Sequence, residues 1–132
     1  MAGRRAAIVA NRTRRVSALI HQRVHDVTFA AATNIAERAA ASMEGSKSGR
    51  LYGRHRASAP GEAPAIDMGI LHGSMFVRQV GPTAYLVGTN VEYAPHLEMG
   101  TVNIAMRPFL LPAVEDERAP YQRALAAAGH GQ

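Results

Sequence analysis

No cysteine and no tryptophan occur among the 132 residues, and aromatic side chains make up only 5% of the chain. Without cysteine there are no disulfides and no metal site that needs thiolate ligands, a composition that suits a reducing cytoplasm. With few aromatics and abundant alanine, a domain of this size has little bulk to bury and should draw stability from partners or self-association. No stretch approaches the ~20 consecutive apolar residues of a membrane-spanning helix. The opening MAGRRAAIVANRTRR follows its arginine pair with an apolar stretch too short for the core of a secretory signal. What remains is one domain, 1–132, with a real but modest core.

Charge is plentiful but unevenly placed. Residues 1–60 carry eleven Lys and Arg against three carboxylates, a net +8, whereas residues 61–132 carry four Arg against seven carboxylates, a net −3. A basic first half suits nucleic acid, an acidic protein surface or plain solvent, and composition does not choose among them.

Residues 6–44 read as one long helix. Val9, Val16, Ile20, Val24, Val27, Ala31 and Ile35 recur at helical spacing, while Arg12, Arg15 and Arg23 fall on other faces. No glycine or proline interrupts the run between Gly3 and Gly45, and Gly45 is placed to stop it. At ~1.5 Å per residue the helix spans roughly 55–60 Å, longer than its own domain requires, so it should reach out, break or pack on neighbours. Residues 46–64 then turn rich in Gly, Ser, Pro and Arg, the text of an extended, mobile loop with room for a short strand around Arg50–Arg54.

Residues 65–128 read as a compact α+β unit. Asp67 is placed to cap a short helix reaching Gly73, and residues 75–80 and 83–89 form a hairpin about Gly81 and Pro82. Pro95 and Gly100 bracket another short helix, and a last helix opens in RPFLLPAVEDER, with Pro120 expected to kink or break it. The expected core is Leu71, Phe76, Val80, Tyr85, Val87, Val91, Tyr93, Leu97, Phe109, Leu110 and Val114. The fold class is thus α+β: a long N-terminal helix packed on a small antiparallel sheet, with short helices and a C-terminal helix.

Chemistry-bearing patterns are weak. His21 and His25 have the i, i+4 spacing of two metal ligands but lack a third ligand or a zincin glutamate, so two partly exposed helix histidines are the plainer reading. SGRLYGRHRASAPGE lacks the Gly-Lys-Ser/Thr ending of a phosphate loop. Its Lys47, Arg50, Arg54, His55 and Arg56 around Tyr52 suit contact with nucleic acid or protein. Ser58 and Ser74 can be set beside histidines on paper, as in any chain with six of them, and Glu92 and Glu98 around Tyr93 and His96 make an ordinary short helix. No catalytic, metal or cofactor site is expected.

Three stretches are more specific: SGRLYGRHRASAPGEAPAIDMGIL, then YLVGTNVEYAPHLEMGT, then MRPFLLPAVEDE. In this order and spacing they resemble the tail-completion, or head–tail joining, family of long-tailed bacteriophages. The matching positions are 57–64, Asp67, Gly69, Leu71, Val87, Gly88, Tyr93, Ala94, Glu98, Gly100, Thr101 and 107–113. The likeness covers about residues 46–117, and the N-terminal helix by type only. Met99 stands where the family often has an aromatic, and Pro120 where its helix usually runs on.

The resemblance implies a homo-oligomeric ring, a hexamer, in the virion neck. It would be assembled in the host bacterial cytoplasm and sit between head-completion (connector) proteins and the tail terminator or tail tube, with genomic DNA passing through the lumen. Expected interface residues are Arg50, Tyr52, Arg54, Arg56, Glu98, Arg107 and Phe109, with Arg12, Arg15 and Arg23 meeting DNA or a partner. Arg107, held extended before Pro108, is a bidentate partner for Glu98, in its own or the next subunit. Two alternatives stay open: a basic DNA-binding protein, using Arg4, Arg5 and Arg14 as well, and a tail-terminator ring capping the tail tube. A hydrolase would need a pocket that the sequence does not announce.

Overall fold

A computed structural model describes residues 2–45, 47–49, 51–52, 54–66 and 69–129, with side chains from residue 9 onward. Element order is α1 (Ala2–Met43), β1 (Leu51–Tyr52), β2 (His55–Arg56), a 3-10 turn (His72–Ser74), β3 (Phe76–Gly81), β4 (Ala84–Gly88), α2 (Ala94–Met99) and α3 (Leu111–Gly129). The class is α+β as expected, with the strands divided into two separate antiparallel hairpins, β1–β2 and β3–β4.

The first helix behaves as its composition dictates. Its alanines and arginines favour helix throughout, and it ends before Gly45, whose φ of 83° suits a residue without Cβ. Lys47 Nζ donates to the Ser42 carbonyl at 2.7 Å, placing a cation on one of the helix's last carbonyls. The C-terminal half of α1 carries the domain: α3 runs antiparallel along it, and the β3–β4 hairpin lies beside it. Thr28 meets the Tyr121 hydroxyl at 2.9 Å, while Asn34 Nδ2 and Arg38 Nε each donate at 3.0 Å to the buried Glu117 carboxylate.

Pro120 does not break α3. The helix runs through it to Gly129, although proline removes an N–H and crowds the carbonyl four residues back. The bonds of Glu117 and Tyr121 to α1 hold the helix on both sides of the proline, so packing offsets the local cost. In β3–β4 the register pairs Val77 with Val87 and Gln79 with Tyr85, with an irregularity between Gln79 and Gly81. Strand alternation puts the half-buried Tyr85 and Val87 on one face, and Tyr85 on that face meets α1 through His25 and Phe29. Val80 and Leu86 are exposed.

The core is thinner than the expected list. Ala39, Met43, Leu71, Ala94, Phe109 and Ala113 form it, with Ile35, Ala63, Met75, Val91, Leu97 and Leu110 packed around. Val80 and Tyr93, expected inside, are exposed at 59% and 45%. Alanines of α1 (Ala39), α2 (Ala94) and α3 (Ala113) take interior places in the cluster with Phe109.

Candidate interaction surface

The three stretches that carry the family likeness lie far apart in sequence and meet in space. Gly61 N donates to the Met106 carbonyl at 2.9 Å, and Arg107 Nε donates to the Ser58 carbonyl at 3.3 Å. Arg107 N donates to the Leu97 carbonyl at 2.6 Å, which links the third stretch to α2. Glu98 receives the backbone N–H groups of Phe109 (2.9 Å), Leu110 (3.0 Å) and Leu111 (2.6 Å). The first N–H groups of a helix have no partner within it and sit at the positive end of its dipole, so a carboxylate there is doubly favoured.

Glu98 is therefore the cap of α3, and within the chain it is not the partner of Arg107. That corrects the expected pair in its own-subunit form: both Glu98 oxygens are taken by backbone donors, and Arg107 spends its guanidinium on the Ser58 and Ala105 carbonyls. Gly100 does permit the expected positive-φ exit, at 76°. A Cβ there would lie 3.1 Å from the Ile104 carbonyl oxygen and Met106 N. Thr101 then closes a tight turn, its hydroxyl accepting from Ile104 N at 3.0 Å and from Asn103 N at 3.3 Å. The turn displays Met99, Val102, Ile104 and Met106 to solvent, Val102 completely. This apolar tongue escaped sequence reading because VNIAM has neither a stripe nor a partner that a pattern can register.

The Arg-rich segment is better organised than an extended loop. Leu51–Tyr52 pairs with His55–Arg56, so the expected single strand becomes a small hairpin. Gly49 N donates to the Ala57 carbonyl at 2.9 Å, and Arg56 Nη1 donates to the Gly49 carbonyl at 2.8 Å. A Cβ on Gly49 would sit 2.5 Å from the Ala57 and Ser58 carbonyl oxygens, so only glycine fits this closure. Glu62 pins the base: its carboxylate accepts from Ser48 Oγ, from Ser48 N at 3.1 Å and from Ala59 N at 2.9 Å. These bonds, the Ser48 hydroxyl first, lower its pKa from 4.5 to about 2.

A depressed carboxylate pKa stabilises the folded loop above the unfolded value, and that support is lost as pH falls through the folded one. The Ser48 and Ala59 amides should thus be protected from hydrogen exchange in the isolated chain above about pH 4.5 and lose protection progressively toward pH 2. Glu62→Ala should abolish the protection at neutral pH. Equal exchange in Glu62→Ala and parent would show that the carboxylate does not hold the loop.

The expected interface residues separate into groups. Tyr52, Arg54 and Arg56 are exposed on or beside the small hairpin, whereas Arg50 and the expected cap Asp67 lie outside the described residues. Phe109 is 2% exposed and belongs to the core, so it leaves the interface set. Glu98 and Arg107 are half-buried and hold the three stretches together. Arg12, Arg14 and Arg15 are exposed on α1. Arg23 is half-buried, its Nη1 enclosed with no hydrogen-bond partner among the described residues.

His25 is engaged by the fold: Nε2 lies 2.6 Å from the Tyr85 hydroxyl and Nδ1 3.2 Å from Asp26. Among the described residues no group of three or more His, Cys, Asp or Glu could hold a metal ion. Two apolar hollows are open. One, about 420 Å³, lies between the Arg-rich segment and the core and is lined by Met43, Ile66, Leu71, Tyr93 and Leu97 among others. The other, about 390 Å³, is a groove between α3 and the β3–β4 hairpin. No family model, no curated protein and no solved structure matches this chain.

Proposed function

We propose that this chain is a structural phage assembly protein that forms a homo-oligomeric ring at the head–tail junction, through which DNA passes. One observation carries the reading: the three family-like stretches converge on a single node of backbone hydrogen bonds around Glu98 and Arg107. Side chains spent on holding the shape of this node suit a protein whose work is docking and sealing. The surface agrees, since Val9, Val16, Leu19, Leu51, Met99 and Val102 all face solvent in the single chain. In this reading partners cover these side chains. The partners in this reading are further copies of the chain, the head-completion connector, and the tail terminator or tail tube.

Light scattering on the eluting full chain should give the mass of a hexamer built from 14.1 kDa subunits. Imaging of the virion neck should place that ring between connector and tail. A second reading, a basic DNA-binding protein, is favoured by the exposed Arg12, Arg14 and Arg15 on a projecting helix. It requires DNA affinity that falls steeply with salt, with a logarithmic slope of about −0.9 per phosphate contacted. A monomer that retains DNA with such a slope would displace the ring; a hexamer indifferent to DNA would exclude the second reading.

A further inference from the structure

Beside the small hairpin, two adjoining hollows have unlike walls. The first, about 420 Å³, reaches down to Met43 and Leu71 of the core. Ile66, Ile70 and Tyr93 stand around it, 38%, 56% and 45% exposed. The second, about 460 Å³, is lined by Glu44, Lys47, His55 and Arg56 among others. Met43, His55, Ala65 and Ile66 line both, so an apolar recess opens directly beside a basic one.

The basic wall keeps donors to spare. Lys47 gives one N–H to the Ser42 carbonyl and Arg56 gives Nη1 to the Gly49 carbonyl, which leaves each cation further N–H groups. The neighbouring described carboxylates are already engaged. Glu44 lies 2.9 Å from His72 Nε2, and Glu62 accepts from the Ser48 hydroxyl and the Ser48 and Ala59 amides. Residues 46–72 carry Lys47, Arg50, Arg54 and Arg56 against Glu62 and Asp67, a net +2.

We infer that these paired hollows dock an acidic segment of a partner protein, one large apolar side chain entering the first and carboxylates meeting Lys47 and Arg56 in the second. The inference rests on the proposed function only in taking the partner to be a protein, and it adds that partner's chemistry. Charge complementarity selects the sign of the segment and steers its approach. The apolar recess supplies the anchor, since a side chain sunk in a desolvated pocket carries most of a contact's strength. A recess of about 420 Å³ has room for a side chain or two of such a segment and none for a whole helix. Its walls also disfavour a nucleic-acid base, which binds by stacking on rings. Among the described residues, Tyr93 is the one Tyr or Phe lining either hollow, and Met43, Ile66, Ile70, Leu71 and Leu97 supply aliphatic surface instead.

The test is a titration of the isotope-labelled full chain, read from its backbone amide shifts, with three short synthetic peptides. One holds a leucine among Asp and Glu, the second has Ser in place of the leucine, and the third has Lys in place of the acids. The acidic leucine peptide should move the Lys47, His55, Ile66 and Leu71 amides saturably, and the other two should bind at least tenfold more weakly. Ile70→Glu and Arg56→Gln, both at exposed positions, should each weaken the first peptide at least tenfold, with circular dichroism confirming the fold. Glutamine can still donate to the Gly49 carbonyl, so Arg56→Gln removes the charge and keeps a donor for the loop. Equal binding of the three peptides, or no saturable shift with the first, overturns the inference. An oligothymidylate that displaces the peptide and binds the same amides more tightly gives the surface to nucleic acid and overturns it too. A parent that ignores the peptide but loses self-association in Ile70→Glu makes a second copy the occupant. Light scattering on the same samples keeps the two readings apart. A hexamer that ignores the peptide loses this inference alone, and a monomer that binds it keeps the docking site and loses the ring.

Discussion

Replacing Phe109 with alanine is expected to destabilise the fold by about 3–5 kcal/mol and to lower its melting temperature by roughly 10–20 °C. The size follows from what surrounds the ring. Phe109 is 2% exposed at the junction of α1, α2 and α3, and the cluster around it consists of Ala39, Ala94 and Ala113 with Met43 and Leu71. Methyl groups fixed to helix backbones cannot move in to fill the space a phenyl leaves, so most of the cavity term persists. Total stability on the order of 0.05–0.15 kcal/mol per residue makes this a large fraction of the whole. Phe109→Leu, which keeps most of the volume, should cost under about 1.5 kcal/mol. Denaturant melts of the three proteins decide it. An alanine variant within about 1 kcal/mol of the parent would mean that Phe109 does not centre the core.

The same alanines explain which parts of the fold could be read from sequence. Helix α1, the β3–β4 hairpin, the short α2 and the start of α3 each left a local signal: a 3.6-residue stripe, a Gly-Pro turn, a proline at a helix start. The core was legible where it uses large residues, as at Leu71 and Phe109, and illegible at Ala39, Ala94 and Ala113, because alanine is common on helix surfaces and interiors alike. Val80 and Tyr93 misled for the opposite reason, as large apolar side chains in a chain with too little body to cover them. The α1 stripe shows the limit of periodicity. It continues from Val9 to Ile35, but only the C-terminal half meets its own chain. A stripe says which face is to be covered and is silent on whether the same molecule covers it.

The candidate surface was legible in its members and not in their roles. Opposite charge makes Glu98 and Arg107 look like partners of each other. Their partners are backbone groups: the N–H groups of Phe109, Leu110 and Leu111, and the carbonyls of Ser58 and Ala105. Every residue except proline carries the same backbone donor and acceptor, so no letter of the sequence marks such a partner. Glu62 belongs to the matched stretch 57–64, but its role is illegible for the same reason, since two of its three donors are main-chain N–H groups.

Glu98→Ala should cost about 2–3 kcal/mol, a large effect for a half-exposed side chain. The carboxylate answers three N–H groups at once, at 2.9, 3.0 and 2.6 Å, and hydrogen bonds to a charged acceptor are worth more than neutral ones. Water reaches part of the site and replaces some of this, which keeps the estimate below the sum of three bonds. Glu98→Gln retains one carbonyl oxygen but turns an amide nitrogen toward a donor, so about 1 kcal/mol should be lost. Hydrogen exchange localises the effect: amides 109–111 should lose protection in Glu98→Ala while Val77 and Val87 in the hairpin keep theirs. A double-mutant cycle separates capping from ion pairing. With both side chains bonded to backbone, Glu98→Ala and Arg107→Ala should add to within about 0.5 kcal/mol. A coupling above about 1 kcal/mol in the monomer would restore the ion pair and remove Glu98 as the cap. Coupling that appears only in the assembled protein would place the pair across the subunit interface, joining Glu98 of one copy to Arg107 of the next.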